Sequence, residues 1–401
     1  MTLAAPTTTV RPTETAAPAY DLGALRRLFP HTERTVYLNH AGSSPLALPV
    51  KRALAEAVEH TGGGDDGLWD MGWVDELDAR LHAGIAGLIN ASPGEIAIVP
   101  NTGTALNYVA LSLPARPGQN IIVCDKEFPS NVYPWMNLAR RAGLELRIVP
   151  MDGGGLTVRR LAERADADTL LVAVSAVEFL TGFRTDVAAL GAFCRERGIF
   201  FAVDGIQSLG HIPLDVRAAQ VDFLGTGALK SLMGPAGIGF LYIRRDLLDR
   251  LDMPIAGATS VTDYLNWCNY HLDFRPEAAR YELSTVNWIG MAGFDASLKM
   301  LMDLGIANID AWTTRLADGL MADLAERGFE ILTPRDPAGH GPIVSFAVSD
   351  PKAALAELAA HNVAAAVREG YVRVSIHCYN TVDEVLRVAQ ILDEYGGGQM
   401  K

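Results

Sequence analysis

Short apolar runs alternate with amphipathic stretches along the chain between about residue 90 and residue 245. The apolar runs are nearly continuous in Val, Ile, Leu and Phe, as expected for strands of a sheet that is covered on both faces. Helical stretches separate most of them, and this alternation predicts a doubly wound, mostly parallel α/β sheet. The predicted strands are 95–100, 120–125, 145–150, 169–175, 199–204, 221–226 and 237–243.

The pattern changes after the last of these strands. The stretch 251–286 is irregular and rich in aromatic residues, and a long helical region follows at 287–327. The remaining chain mixes strands with helices, which predicts a smaller C-terminal α/β domain. The predicted strands there are "FEILTP", "PIVSFAV" and "YVRVSI", and the predicted helices are 351–361 and 381–394.

Three segments follow from this organisation. Residues 1–20 are rich in Thr, Pro and Ala, which is typical of a disordered leader. Residues 21–285 are expected to form the large domain, and residues 286–401 the small one. The N-terminal part of the large segment is expected to contribute to the small domain.

Composition narrows the class of protein. The 401 residues carry a formal charge of −13, which argues against a nucleic-acid partner, since such binding relies on basic surface. No apolar run reaches the roughly 18 residues of a membrane span, and the N-terminus lacks a secretory pattern, so no membrane partner is expected. The four cysteines are scattered, which indicates neither a disulfide framework nor a metal site and favours a cytoplasmic location.

Ligands of doubly wound sheets bind at the carboxyl ends of the strands, so polar residues at those ends are the candidates for chemistry. Lys230 follows a buried strand and precedes a Gly-rich turn. A desolvated lysine has a lowered pKa and forms Schiff bases, although most loop lysines are simply solvated. Asp204 ends the preceding strand, where a carboxylate can hold a protonated pyridine nitrogen or can cap a helix. Gln207, three residues later, could reach the phenolic oxygen of the same ring.

Further candidates lie near other strand ends. Thr102, Gly103 and Thr104 open a helix and could cradle a phosphate or form a plain helix start. Phe128 could stack on a planar ring or belong to the core. Arg373 lies in a predicted strand, where it could clamp a carboxylate or form a surface ion pair. His40 is either a pocket residue or part of a turn.

Together these residues resemble the class V aminotransferase family of fold-type-I pyridoxal-phosphate enzymes. This family includes cysteine desulfurases, kynureninases and proteins similar to isopenicillin-N epimerase. The resemblance extends over about residues 35–395. It rests on the motifs "YLNHAGSSP", "NTGTALN", "EFPSNVYPW", "GFRTDVAALG", "VDGIQSLG", "GPAGIGFLY" after Lys230, "RYELSTVN" and "RVSIHCYNT".

The resemblance implies a role for each matching residue. Lys230 would form the imine with pyridoxal 5'-phosphate, Asp204 would hold the pyridine nitrogen and Gln207 the phenolic oxygen. Arg373 would bind the substrate carboxylate, with His40 nearby. Thr102, Gly103 and Thr104 would bind the cofactor phosphate. Phe128 would stack on the ring, with Asn131 in the same motif and Ser175 at the ring edge. The resemblance also implies a homodimer with shared active sites, in which Thr285 would reach the phosphate of the neighbouring subunit.

The chain departs from the family pattern beside these residues. Leu229 stands where the family usually has histidine, and Gly227 where it often has serine or aspartate. Ser284 replaces the glycine that precedes the subunit-crossing threonine. The first two of these changes remove polar groups beside the lysine.

The reaction predicted from the sequence is chemistry at the α-carbon of an amino acid or of a metabolite that carries one. A cysteine desulfurase needs a loop cysteine before the arginine, and residues 335–372 contain none. The prediction is therefore a carbon–sulfur lyase that acts by β-elimination on a cysteine S-conjugate, in specialised metabolism such as antibiotic biosynthesis. The alternatives are a class V aminotransferase, a decarboxylation-dependent oxidative deaminase, and a binding scaffold without cofactor.

Overall fold

The computed structural model of the chain describes residues 17–61 and 70–396. Most of the leader predicted at 1–20 lies outside these residues. Tyr20, at its end, is half-buried, and its hydroxyl donates to the Cys378 carbonyl at 2.7 Å. The N-terminal segment then packs on the C-terminal part of the chain, where the Arg26 guanidinium pairs with Glu384 at 2.8 Å.

The large part of the molecule is built around a seven-stranded sheet in the order β2-β8-β7-β6-β5-β3-β4. Five adjacent strands, from β7 to β4, are parallel, and β8 runs antiparallel to both of its neighbours. This confirms the prediction of a mostly parallel sheet. The strands are β2 (Ile96–Val99), β3 (Asn120–Cys124), β4 (Glu145–Val149), β5 (Thr169–Ser175), β6 (Phe200–Asp204), β7 (Phe223–Gly227) and β8 (Gly239–Ile243).

Helices cover both faces of this sheet. Alternate residues of β3 enter different cores: Ile122 and Cys124 pack into one cluster, and Ile121 and Val123 into another. Burial on both faces explains why the strands lack polar alternation. The helices before β9 are α1 (Leu22–Arg27), α2 (Leu48–His60), α3 (Met71–Ile89), α4 (Thr102–Ser112), α5 (Tyr133–Ala142), α6 (Val158–Ala162), α7 (Val187–Arg197), α8 (Trp288–Leu304) and α9 (Ile306–Glu326).

The predicted helical region 287–327 is thus two helices rather than one. Gly305 separates them with φ of +82°, a backbone conformation that side-chain-bearing residues rarely adopt. Among the described residues, no helix is long and apolar enough to cross a lipid bilayer.

The C-terminal part has its own core cluster, to which Leu38 of the N-terminal segment also belongs. An antiparallel sheet has the order β11-β12-β9, and β1 pairs in parallel with β10. The elements are β1 (Val36–Tyr37), β9 (Ile343–Phe346), α10 (Pro351–Ala360), β10 (Val363–Ala364), β11 (Ala366–Arg368), β12 (Tyr371–Ser375) and α11 (Val382–Glu394).

The predicted strand 329–334 is wrong. It forms a single bridge, Ile331 to Phe346, rather than a ladder. The amides of Leu332 and Thr333 both donate to the Ser345 carbonyl, at 2.8 and 3.4 Å, so the alternating ladder pattern is lost. The strands β10 and β11, in turn, were not predicted from the sequence.

Candidate active site

The carboxyl ends of β6 and β7 bring Lys230 and Asp204 into one cleft. Asp204 is buried, and its carboxylate accepts from the Ile206 amide at 2.9 Å. Burial raises the pKa of Asp204 to about 6, while Ile206 and the nearby Lys230 act against that rise. Burial also lowers the pKa of Lys230 to about 8, with Asp204 opposing it and Arg373 adding to it. Because this pKa is well below the ordinary lysine value, a much larger fraction of the Lys230 amine is neutral near physiological pH than in a solvated lysine, and the neutral amine is the form that makes a Schiff base.

Phe128 lies across the cleft from this lysine. The Lys230 Nζ atom is 5.1 Å from the centroid of the Phe128 ring. The ring is 36% exposed, so it is not a core residue, and its edge contacts Phe179 at a centroid distance of 5.3 Å. A partly exposed aromatic ring beside the lysine can stack on a planar cofactor.

Arg373 reaches the same cleft from β12. Its side chain is 2% exposed, and Nη1 donates to the Phe179 carbonyl at 2.8 Å. Its Nε and Nη2 atoms are buried and find no hydrogen-bond partner within residues 17–61 and 70–396. The alternative of a surface ion pair is therefore excluded. A buried guanidinium without a counter-charge is costly, and a bidentate carboxylate ligand would satisfy it.

The start of α4 forms the expected phosphate cradle only in part. The Asn101 side chain accepts from both the amide and the hydroxyl of Thr104, at 2.9 and 3.2 Å. Thr104 is thus already engaged. The Thr102 hydroxyl is buried with no partner in the described chain, and the amides of Thr102 and Gly103 are free by helix geometry. Ser130, which the sequence interpretation missed, lies beside Gly103, with its Oγ 3.8 Å from where a Cβ would be.

Two predicted cofactor residues serve a buried carboxylate instead. Glu127 accepts from the Ser175 hydroxyl at 2.6 Å and the Ser175 amide at 2.8 Å. It also accepts from Asn131 Nδ2 at 3.2 Å, while Asn131 Oδ1 accepts from Trp135. Ser175 and Asn131 thus support the segment that carries Phe128. The sequence interpretation missed Glu127, although it lies three residues after the end of β3, near the same edge of the sheet as Asp204.

The remaining predicted residues lie at the edges of the cleft. Gln207 Nε2 donates to the Ala41 carbonyl at 3.0 Å, which ties the Asp204 loop to the N-terminal segment. His40 is buried, with Nδ1 2.8 Å from Ser44 Oγ and its ring against Tyr37, so it lies in a packed cluster rather than an open pocket. Thr285 is exposed in a loop and lines a separate cleft of about 400 Å³.

These residues fit pyridoxal phosphate. The Thr102 hydroxyl, which has no partner among the described residues, and the start of α4 suit the phosphate, the partly exposed Phe128 ring suits the cofactor ring, and Asp204 suits its nitrogen. Lys230 lies within reach of the same cleft, and the unpartnered nitrogens of Arg373 remain for a substrate carboxylate.

The chain is similar to known proteins over most of its length. Residues 36–388 match the family Aminotransferase class-V. A probable cysteine desulfurase from Methanothermobacter thermautotrophicus is 32% identical over 398 residues, which cover 93% of this chain and 98% of that protein. The uncharacterized aminotransferase YcbU from Bacillus subtilis is 28% identical, with 90% of this chain and 94% of that protein covered.

A solved structure shows the same likeness in three dimensions. The apo structure of a cysteine desulfurase from Thermococcus onnurineus superposes with a TM-score of 0.86 at 27% identity, covering 96% of this chain and 100% of that one. The family match spans most of the chain and includes every motif on which the predicted resemblance rests. The chain therefore belongs to the class V aminotransferase family of pyridoxal-phosphate-dependent enzymes.

Proposed function

We propose that the chain is a carbon–sulfur lyase that cleaves a cysteine S-conjugate by β-elimination, in specialised metabolism. The observation that carries this proposal is that Lys230 lies near the buried guanidinium of Arg373, two of whose nitrogens find no hydrogen-bond partner among the described residues. An amine that can move an α-proton and a clamp for an α-carboxylate together select an amino-acid substrate.

Each residue has a distinct task in this reaction. Pyridoxal phosphate, when bound, supplies a carbonyl for the substrate amine and a protonated ring that stabilises negative charge at the α-carbon. The Asp204 carboxylate keeps the ring nitrogen protonated, and the Phe128 ring holds the cofactor plane. Arg373 orients the substrate through its carboxylate. Lys230 then removes the α-proton and returns protons to the product side.

The balance of the reaction follows from the substrate. The α-C–H and Cβ–S bonds break, the sulfur leaves with a proton as a free thiol, and water enters. The cysteine S-conjugate and one water thus yield a thiol, pyruvate and ammonia. No external oxidant or amino acceptor is required.

The cysteines favour a free thiol over a protein persulfide. Cys124, Cys194 and Cys378 are buried, and burial raises the pKa of each thiol above its usual value. A buried thiol with a raised pKa is a poor nucleophile. Cys268 is exposed, but it lies in the irregular segment between β8 and α8 rather than in the stretch before Arg373.

A second candidate is cysteine desulfuration, since relatives of this chain are named cysteine desulfurases.

One assay separates the candidate functions. The holoenzyme is incubated with S-benzyl-L-cysteine or with L-cysteine, without keto acid, and thiol, pyruvate, alanine and sulfide are measured. Benzyl thiol with equimolar pyruvate supports the lyase. Alanine formed from L-cysteine, with sulfide released when dithiothreitol is added as the reductant, supports the desulfurase. In a parallel reaction with a keto acid added, amine transfer identifies an aminotransferase, and carbon dioxide with an aldehyde, measured in either reaction, identifies the decarboxylating deaminase. The Lys230→Ala variant is the control.

We also propose that the active unit is a homodimer. Thr285 is exposed in the loop before α8, where it is free to reach a neighbouring subunit. The segment 261–274 exposes large apolar side chains, among them Trp267 at 78% and Tyr270 at 90% exposure, and a partner surface would cover them. Sedimentation equilibrium at assay concentrations tests this, and an active monomer would exclude the proposed role of Thr285.

A further inference from the structure

The backbone around Lys230 is held through three consecutive carbonyl groups. The Leu229 carbonyl accepts from the Ser44 amide at 2.8 Å. The Lys230 carbonyl accepts from the Ser44 hydroxyl at 2.7 Å. The Ser231 carbonyl accepts from His377 Nε2 at 2.9 Å. Two residues remote in sequence therefore fix the peptide groups on either side of the lysine.

The positions of the protons in these contacts follow from the surrounding donors. The Cys378 amide donates to His377 Nδ1 at 2.7 Å, so the neutral imidazole carries its proton on Nε2 and donates to Ser231. Because the Ser44 hydroxyl donates to the Lys230 carbonyl, it accepts from His40 Nδ1. Burial lowers the pKa of His377 to about 4 and that of His40 well below its usual value, so both rings are neutral.

Both donors belong to parts of the chain that β12 holds together. The Ser375 amide, at the end of β12, donates to the Leu38 carbonyl at 2.8 Å, and the Ser375 hydroxyl accepts from the Ala41 amide at 2.8 Å. These bonds fix the segment that leads to Ser44. His377 follows β12 by two residues. The strand that carries Arg373 thus also anchors the loop that carries the lysine.

The opposite side of the loop is tied to the segment after β6. The Ser231 hydroxyl donates to the Ile206 carbonyl at 2.7 Å. Gly210, with φ of +91°, passes so close that a Cβ there would lie 2.4 Å from the Ser231 carbonyl oxygen. A lysine side chain has a long, flexible stem, so its amine is placed reproducibly only if the backbone beneath it is fixed.

We propose that Ser44 and His377 are positioning residues that hold the backbone of Lys230, so that its amine stays between the Phe128 ring and the end of β6. This inference rests on the proposed role of Lys230 as the cofactor lysine. It goes beyond that role because neither residue touches the reacting atoms. An error of about 1 Å in such a group costs on the order of 100-fold in rate.

Three variants separate positioning from packing. His377→Leu and Ser44→Ala each remove a donor, whereas His377→Gln restores one, because the glutamine amide nitrogen can replace Nε2. Ser43→Ala is the matched control, since Ser43 is exposed and next to Ser44. Folding of each variant is checked by circular dichroism and thermal melting.

The first readout uses the protein without cofactor. Lys230 is labelled with trinitrobenzenesulfonate over a range of pH, and the modified peptide is quantified by mass spectrometry. The midpoint is expected near pH 8 in the native chain and in Ser43→Ala, and to move toward the ordinary lysine value of 10.5 in Ser44→Ala and His377→Leu. His377→Gln is expected to stay near the native midpoint.

The second readout is steady-state kinetics of the loaded enzyme, where kcat is expected to fall about tenfold or more in Ser44→Ala and His377→Leu, with KM little changed. Folded Ser44→Ala and His377→Leu variants with native midpoints and native kcat would overturn the proposal. Equal damage in His377→Gln and His377→Leu would also overturn it, since packing alone would then explain the effect. Borohydride reduction of the native holoenzyme tests the proposed function separately: cofactor fixed at a residue other than Lys230 would refute that function.

Discussion

Replacement of Arg373 by methionine is expected to have opposite effects on stability and on substrate binding. Two of the guanidinium nitrogens are buried and have no partner in the part of the chain that the structure describes, and each such group costs about 1–3 kcal/mol. Methionine removes that cost and fills similar volume, but it leaves the Phe179 carbonyl without its donor, which returns a cost of about 1–3 kcal/mol. The net expectation is that the free energy of unfolding of the apoprotein rises by about 1–3 kcal/mol.

The same substitution should damage turnover. A substrate carboxylate bound in two charge-assisted hydrogen bonds loses about 2–5 kcal/mol when the guanidinium is truncated. Since 1.4 kcal/mol corresponds to a factor of ten, kcat/KM is expected to fall by about 30-fold to 4,000-fold.

Two measurements on the same preparation test both signs. Urea unfolding of the apoprotein gives the change in stability, and thiol release from S-benzyl-L-cysteine gives kcat/KM. Arg373→Lys is the matched comparison, because it keeps the charge without the planar fork. An Arg373→Met apoprotein that is less stable than the native one would refute the argument that the buried guanidinium lacks compensation. A native kcat/KM in that variant would refute its role toward the carboxylate.

Three further predictions concern single residues. Lys230→Ala should fold normally yet lose both turnover and the cofactor adduct that borohydride fixes, as read by mass spectrometry of the reduced protein. Asp204→Asn should bind cofactor but lose most α-proton exchange, by at least 100-fold, and near-native exchange in deuterium oxide would contradict this. His82→Gln should lower the free energy of unfolding by about 3–5 kcal/mol near neutral pH. Burial by itself lowers the pKa of His82, but hydrogen bonds to Asp78 and Glu282 outweigh burial and raise that pKa to about 10, so the native imidazole is charged and paired. The difference in the free energy of unfolding between the native protein and His82→Gln is largest below pH 6.5 and should disappear progressively as the pH rises to about 10. A difference that urea unfolding shows to be independent of pH would refute this prediction.

The sequence by itself was sufficient for the strands of the large sheet and for the start of α4 at Thr102. Both depend on local patterns: continuous apolar runs for strands buried on both faces, and a helix-capping Asn101 just before the helix. The placement of Lys230 and Asp204 also followed, because neighbouring parallel strands end at the same edge of the sheet. The residue pattern of 329–334 could not show that this stretch forms no regular strand, because its backbone hydrogen bonds depend on how it packs beside β9.

Tertiary structure alone decided what surrounds those residues. The contact of Ser44 with Lys230 joins positions 186 residues apart, and that of His377 with Ser231 joins positions 146 residues apart. Arg373 was visible in the sequence, but its burial, with no ion-pair partner among the described residues, depends on the packing of β12 against the Phe179 segment. Local propensity acts over a few neighbouring residues, whereas desolvation and orientation depend on the whole packed chain. The sequence therefore determines which reactive groups this cleft contains, and the packed tertiary structure determines their burial and orientation.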